Sequence, residues 1–160
     1  MVSTWRITSR KFTKSAFKGE GARLFGGRWN TPGIPLVYTA ESKSLAVLEI
    51  LVHLDSPDLL RKFVVFEVKI EDSLVTHLDP ASLPNNWRDD PPLVEAQKLG
   101  DQWASSARSA ALRVPSAIVT GEFNFLLNPL HPDFSKLSIG QAQPFFLDPR
   151  LERHKKSKHE

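Results

Sequence analysis

Polar and apolar side chains alternate along Val2–Thr8, with Trp5 and Ile7 among polar neighbours, and this predicts a short strand. Arg10–Gly27 is mixed and punctuated by glycine, which predicts irregular or briefly helical chain. Pro32, Gly33 and Pro35 mark a turn. Leu36–Ala40 is an apolar run between turn signals and reads as a buried strand. Leu45, Leu48 and Val52 recur at helical spacing, so Ser42–Leu54 predicts a helix, capped by Ser42 or Ser44 and followed by Pro57. Phe63–Ile70 and Leu74–Leu78 read as strands. The four prolines in residues 79–92 predict a long loop. Leu93–Leu112 predicts a second helix, with Leu93, Ala96, Leu99, Trp103 and Ala107 along one face and Gly100 as its weak point. Ala117–Thr120 and Gln143–Asp148 predict short strands, with Gly121–Ser138 a loop between them. There is no internal repeat and no linker. The pattern describes one α+β domain over residues 1–151 and a flexible basic tail over 152–160.

The chain has 160 residues, 41% of them hydrophobic and 24% charged. That supports a packed core without staples and excludes collagen-like, coiled-coil and largely disordered classes. No apolar run approaches the roughly 20 residues of a membrane helix. Met1–Arg10 lacks the apolar core of a signal peptide, and the expected location is the cytoplasm. With no cysteine, disulfides and thiolate chemistry are excluded.

Charge is uneven. Residues 1–30 carry seven bases and one acid, so +6. Residues 31–150 carry ten bases and fifteen acids, so −5. Residues 151–160 carry four bases and two acids, so +2. A basic N-terminal segment on an acidic body predicts a localised anion site. With Trp5, Trp29 and interleaved Phe residues, it also leaves open a nucleic-acid-binding module.

Glu49 is the most informative residue. The predicted helix around it is apolar nearly all round, as a buried helix is. A carboxylate there must be paired, hydrogen-bonded or protonated. The bland reading is a structural Glu49 satisfied by an arginine, by backbone groups or by His53 one turn on. Gly26-Gly27-Arg28-Trp29-Asn30 offers a planar guanidinium beside two glycines, suited to phosphate or carboxylate, or else a tight turn whose Arg28 bridges to an acid. Tyr38, the only tyrosine, lies in a predicted buried strand and needs a hydroxyl partner. Ser116 starts a strand, where its hydroxyl bonds either to local backbone or to a partner. Asn124 and Asn128 place amides beside apolar residues. No Rossmann fingerprint, Walker A loop, G-x-S-x-G elbow or H-E-x-x-H spacing is present, and no metal site is expected.

Taken in order, these segments resemble the RES-domain family, named for an arginine, a glutamate and a serine. Gly19-Glu20-Gly21-Ala22 with Gly26–Asn30 resembles its arginine motif, Val37–Ser42 with Leu45-Ala46 and Leu48-Glu49 its glutamate motif, and Val114-Pro115-Ser116 its serine motif. Asn124–Pro129, His131–Phe134 and Pro144–Leu151 resemble the segments that follow. The resemblance implies an ADP-ribosyltransferase-like mixed sheet with flanking helices. It further implies the toxin of a toxin–antitoxin pair, consuming NAD⁺ as substrate without a metal. Its partner would be a helix-turn-helix (Xre-like) antitoxin, through which alone it meets DNA. The implied roles are Glu49, ionised, beside the ribose; Arg28 on the pyrophosphate or ribose; Tyr38 on the nicotinamide; and Ser116 on Glu49 or the ribose. Trp29 and Asn124 are further pocket candidates. Whether water, phosphate or a protein side chain accepts the ADP-ribosyl group is left open.

Overall fold

The computed structural model describes residues 1–54 and 62–151. Pro57 and the tail 152–160 lie outside the described residues. The expected α+β architecture is present, built on one mixed sheet in the order β4-β5-β6-β2-β1-β3-β7, with β8 also on β3. β1 (Val2–Ser9) and β3 (Phe63–Ile70) match residue for residue, from Val2↔Ile70 to Ser9↔Phe63. β2 (Val37–Ala40) pairs along its whole length with β6 (Phe123–Leu127), but with β1 only at Trp5↔Ala40. The sheet is therefore two halves that meet at a short seam. β5 (Ala111–Pro115) lies between β6 and β4 (Val75–His77), antiparallel to the first and parallel to the second. β7 (Ser138–Ile139) and β8 (Gln143–Phe145) line the outer edge of β3.

Side chains alternate across a strand, and the register sorts them cleanly. Val37, Val68, Ala111 and Leu127 form the core of one face, joined by Ile70 and Leu137, with a smaller cluster of Ala16, Val64 and Phe66 farther along that face. The other face carries two clusters. One gathers Trp29, Leu36, Trp87, Leu112, Val114 and Leu126 under α3 (Val94–Ser106), which contributes Ala96 and Trp103. The second gathers Ile7, Ala40, Phe63 and Val65 under α2 (Lys43–Leu51), which contributes Leu45 and Ala46. α1 (Glu20–Phe25) flanks the first cluster through Ala22.

Four expectations need correction. The second helix ends at Ser106, with Ala107 in left-handed backbone (φ 50°), and residues 111–115 form β5 instead. Ala110–Leu112 and Val114 are buried in the middle of the sheet, and a short run buried on both faces has no period that separates strand from helix. Residues 123–127, expected in a loop, form the central strand β6; Asn124 interrupts the apolar run that would have revealed it. Ala117–Thr120 is not a strand. The Ser116 hydroxyl accepts from Ile118 N and Val119 N, both at 3.1 Å, and folds the chain into a turn. Finally, α2 is not buried all round. Leu45 and Ala46 are its buried residues, whereas Leu48 and Val52 are exposed. Ser42 is its cap, accepting from Leu45 N at 3.0 Å. The helix stops at Leu51, and the expected strands Leu74–Leu78 and Gln143–Asp148 shorten to β4 and β8.

Candidate active site

Tyr38 and Ala40 point to the face covered by α2 and α3, and Tyr38 packs on the cluster under α3 while Ala40 belongs to the one under α2. Asn124, opposite Ala40, and Leu126, opposite Tyr38, share that face. After β5, Ala117 packs on the first cluster and Val119 on the second. Glu49, Ser116 and Asn124 meet at the boundary between the clusters, whereas Trp29 and, through Trp87, Arg28 lie with the first.

Glu49 rides on α2, which lies across β1 and β2. Its Oε1 accepts from Asn124 Nδ2 at 2.7 Å and from the Ser116 hydroxyl at 3.3 Å. Ser116 is free to donate because its two backbone bonds use its oxygen as acceptor. Among the described residues, Glu49 Oε2 takes no hydrogen bond. Neither Arg28 nor His53 pairs with Glu49 among those residues, and His53 is exposed. The partners of the half-buried carboxylate among the described residues are thus the serine and the asparagine. Asn124 Oδ1 is buried with no partner among the described residues.

Arg28 sits in the turn closed by Gly27 N donating to Asn30 O at 2.9 Å. Its Nη1 donates to the carbonyls of Trp87 at 2.8 Å and Asp89 at 3.1 Å, both in the proline-rich loop. Two carbonyls on one nitrogen fix the plane of the guanidinium, while Nε and Nη2 make no bond among the described residues. Tyr38 holds the same turn from below. Its hydroxyl donates to Asn30 Oδ1 at 2.6 Å and accepts from Trp29 N at 3.1 Å. A Cβ on Gly27 would lie 2.6 Å from that hydroxyl, so the approach requires glycine. Burial pushes the Tyr38 phenol well above its ordinary value; the Asp101 charge raises it further, and Trp29 N–H and Arg28 oppose. Asn30 Nδ2 donates to the carbonyls of Ala22, Thr31 and Ile34, which locks the turn to its surroundings.

Trp29 is 1% exposed, its ring 5.7 Å from that of Trp87. It is a core residue that anchors the turn. Trp5 is half-buried with Lys43 Nζ 4.7 Å from its ring. The exposed basic and aromatic platform that nucleic-acid binding requires is not formed by these residues. The basic N-terminal segment also disperses. Arg23 pairs with Glu20 on α1, Arg10 and Lys11 line a shallow groove with Ser9 and Lys62, and Arg6 is half-buried with its Nε out of solvent.

Arg6 is the residue that sequence reasoning missed. Its Nη1 donates to the Tyr38 carbonyl at 3.1 Å across the seam, and its Nε is buried without a partner among the described residues. Burial pushes its guanidinium down to about 10. One basic residue inside an alternating strand gave no sign that its neighbour would lack a pairing strand at that point. Among the described residues no group of three or more His, Asp or Glu could hold a metal ion. No helix among them is long and apolar enough to cross a membrane.

The mixed sheet thus carries a helix-borne glutamate hydrogen-bonded to a serine, and an arginine on a turn held to the proline-rich loop. Residues 3–148 match the RES domain, and the chain belongs to that family. It is 43% identical over 149 residues to the Toxin Res of Yersinia enterocolitica, covering 92% of this chain and 98% of that one. It is 38% identical over 157 residues to the Prs ADP-ribosylating toxin of a Sphingobium species, covering 95% and 98%. Its fold is similar to that in the crystal structure of the Mycobacterium tuberculosis MbcT–MbcA toxin–antitoxin complex, with a TM-score of 0.75, 22% identity, and coverage of 98% of this chain and 89% of that one. Over a stretch of 50 residues, 29% of this chain and 27% of the other, it is 42% identical to the NAD(+) phosphorylase MbcT of that organism.

Proposed function

We propose that this chain is a toxin that depletes NAD⁺ by cleaving the bond between nicotinamide and its ribose, with Glu49 as the catalytic carboxylate. The observation that carries the reading is the Glu49 carboxylate, fixed through Oε1 by Asn124 and Ser116 with Oε2 unengaged by the described residues. When the C1′–N bond breaks, the electron pair leaves with nicotinamide and positive charge develops on the ribose, as in glycoside cleavage. A carboxylate beside the ribose stabilises that charge more than it stabilises the ground state, and this difference lowers the barrier. Arg28 presents Nε and Nη2 to the pyrophosphate or ribose. Tyr38, its hydroxyl committed to the turn, orients nicotinamide through its ring. Water as acceptor gives ADP-ribose, nicotinamide and a proton; phosphate gives ADP-ribose 1″-phosphate and nicotinamide. The similarity to an ADP-ribosylating toxin along nearly the whole chain favours a second reading, in which a protein side chain is the acceptor at the same site.

The partner in this reading is an antitoxin of the helix-turn-helix (Xre-like) type, and DNA is reached only through it. The toxin–antitoxin neighbour supports an antitoxin, and the exposed Leu48 on α2 and Val52 just after it give it apolar surface. The site works in the cytoplasm, where NAD⁺ is available.

The test is Glu49→Gln with purified protein. Glutamine keeps an Oε1 for Asn124 and Ser116 and removes only the charge. NAD⁺ loss should fall by about 10³-fold with an unchanged Tm. A Glu49→Gln protein that cleaves NAD⁺ at the wild-type rate sinks the assignment. Mass spectrometry of products, with and without phosphate or candidate protein acceptors, identifies the acceptor.

A further inference from the structure

Arg28 lies on a turn, yet its anchors lie on a helix. Gln97, Gly100 and Asp101 stand at spacings of three and four along α3 and therefore share one face. Gln97 Nε2 donates to Gly27 O at 2.9 Å, one end of the turn. At the other end, Asp101 takes both polar groups of Thr31: the backbone N–H on Oδ1 at 3.0 Å and the hydroxyl on Oδ2 at 2.7 Å. Between them, a Cβ at Gly100 would collide with the Trp29 carbonyl, so helix and turn touch backbone to backbone. Asp101 is the one charged side chain in this set of contacts, and it makes two of its three hydrogen bonds.

We propose that Asp101 is a positioning residue for Arg28: by gripping Thr31 at two points it holds the Gly27–Thr31 turn on α3 and so fixes where the guanidinium meets the dinucleotide. The inference rests on the NAD⁺ reading above for its substrate and on α3 geometry for everything else. Asp101 touches no substrate. It acts by removing the freedom of a turn that otherwise has to be ordered on binding.

The experiment compares Asp101→Ala, Asp101→Asn and Thr31→Val, alone and with Arg28→Ala, in NAD⁺ turnover by purified protein. Asp101→Ala should raise KM about 10-fold with kcat nearly unchanged, the pattern of lost binding shared by ground and transition states. Asp101→Asn should restore KM, because its amide oxygen accepts from Thr31 N and its NH₂ donates to the Thr31 hydroxyl. Thr31→Val, which deletes one of the two bonds, should lie between them and serves if Asp101→Ala does not fold. In the Arg28→Ala background, Asp101→Ala should change KM no further, since a residue acting through Arg28 has nothing left to act on. An unchanged KM in Asp101→Ala, or an equal loss with and without Arg28, overturns the proposal. Wild-type protein that leaves NAD⁺ intact sinks the functional reading instead. Amide hydrogen exchange then decides this one: Trp29 and Thr31 must exchange faster in Asp101→Ala than in wild type and Asp101→Asn.

Discussion

The Ser116 hydroxyl makes three hydrogen bonds, accepting from two backbone amides and donating to Glu49. Ser116→Ala removes all three at once. The turn it supports is half exposed, so water replaces part of the loss, and the expected cost is about 1–2 kcal/mol, read as a lower denaturation midpoint. NAD⁺ turnover should fall as well, because Glu49 keeps only its Asn124 bond. Tyr38 permits a cleaner measurement, being the only tyrosine in the chain. Its folded phenol binds its proton more tightly than the unfolded one, because burial disfavours phenolate. The sign follows: this group's contribution to stability is full below the unfolded value of about 10 and declines as pH rises past it. Arg6 runs the other way. Lowered to about 10 by burial, its charged form is a cost that is relieved only above that pH. The phenolate absorbance at 295 nm should therefore be missing from folded protein at about pH 11 and appear together with unfolding. A normal titration near pH 10 in folded protein contradicts the buried hydroxyl.

Helix α3 shows how an element can be chosen for close approach and not for propensity. Gly100→Ala gains about 1 kcal/mol of helix propensity, but its Cβ meets the Trp29 carbonyl, backbone that cannot swing aside. The collision dominates, and a net loss of roughly 2 kcal/mol is expected from chemical denaturation. Gly21, in α1, has nothing within 4 Å of an added Cβ, so Gly21→Ala should stabilise by about 0.5–1 kcal/mol. On α2, Leu45→Ala should cost about 2–5 kcal/mol, while Leu48→Lys should change stability by less than about 0.5 kcal/mol. The sequence shows β1, β2, β3 and the start of α2 because their periods and caps are local. β5 and β6 escape it because their neighbours across the sheet, not their own order of residues, make them strands. The same division holds for the site. Glu49 stands out as a carboxylate in an apolar helix, and Ser116, Asn124, Arg28 and Tyr38 carry the motif pattern. That Asn124 and Ser116 hold Glu49, and that Arg28 leans on the carbonyls of Trp87 and Asp89, depends on contacts 59 to 75 residues apart in sequence. No local signal encodes these pairings. Trp29 misleads for a related reason, since an aromatic beside a motif arginine reads alike whether it lines an opening or plugs a core.

Across the whole molecule, charge is spread and function is gathered. The +6 of residues 1–30 reaches the site only through Arg28 and, behind Tyr38, Arg6. What unites the site is the line where two hydrophobic clusters meet over a sheet whose halves share one backbone pair, Trp5↔Ala40. Arg6 ties the halves on the sheet and Glu49 ties α2 to the ends of β5 and β6. Three of the four tryptophans, Trp29, Trp87 and Trp103, belong to one cluster, and Trp5 packs on the other. Fluorescence therefore reports mainly one bank of the molecule, while far-ultraviolet dichroism reports both. In wild-type protein the two signals should melt together as one cooperative unit. With both ties cut, in the double variant Arg6→Met, Glu49→Ala, the curves should separate. Two side chains, one of them in the candidate site, would then couple the folding of the two halves.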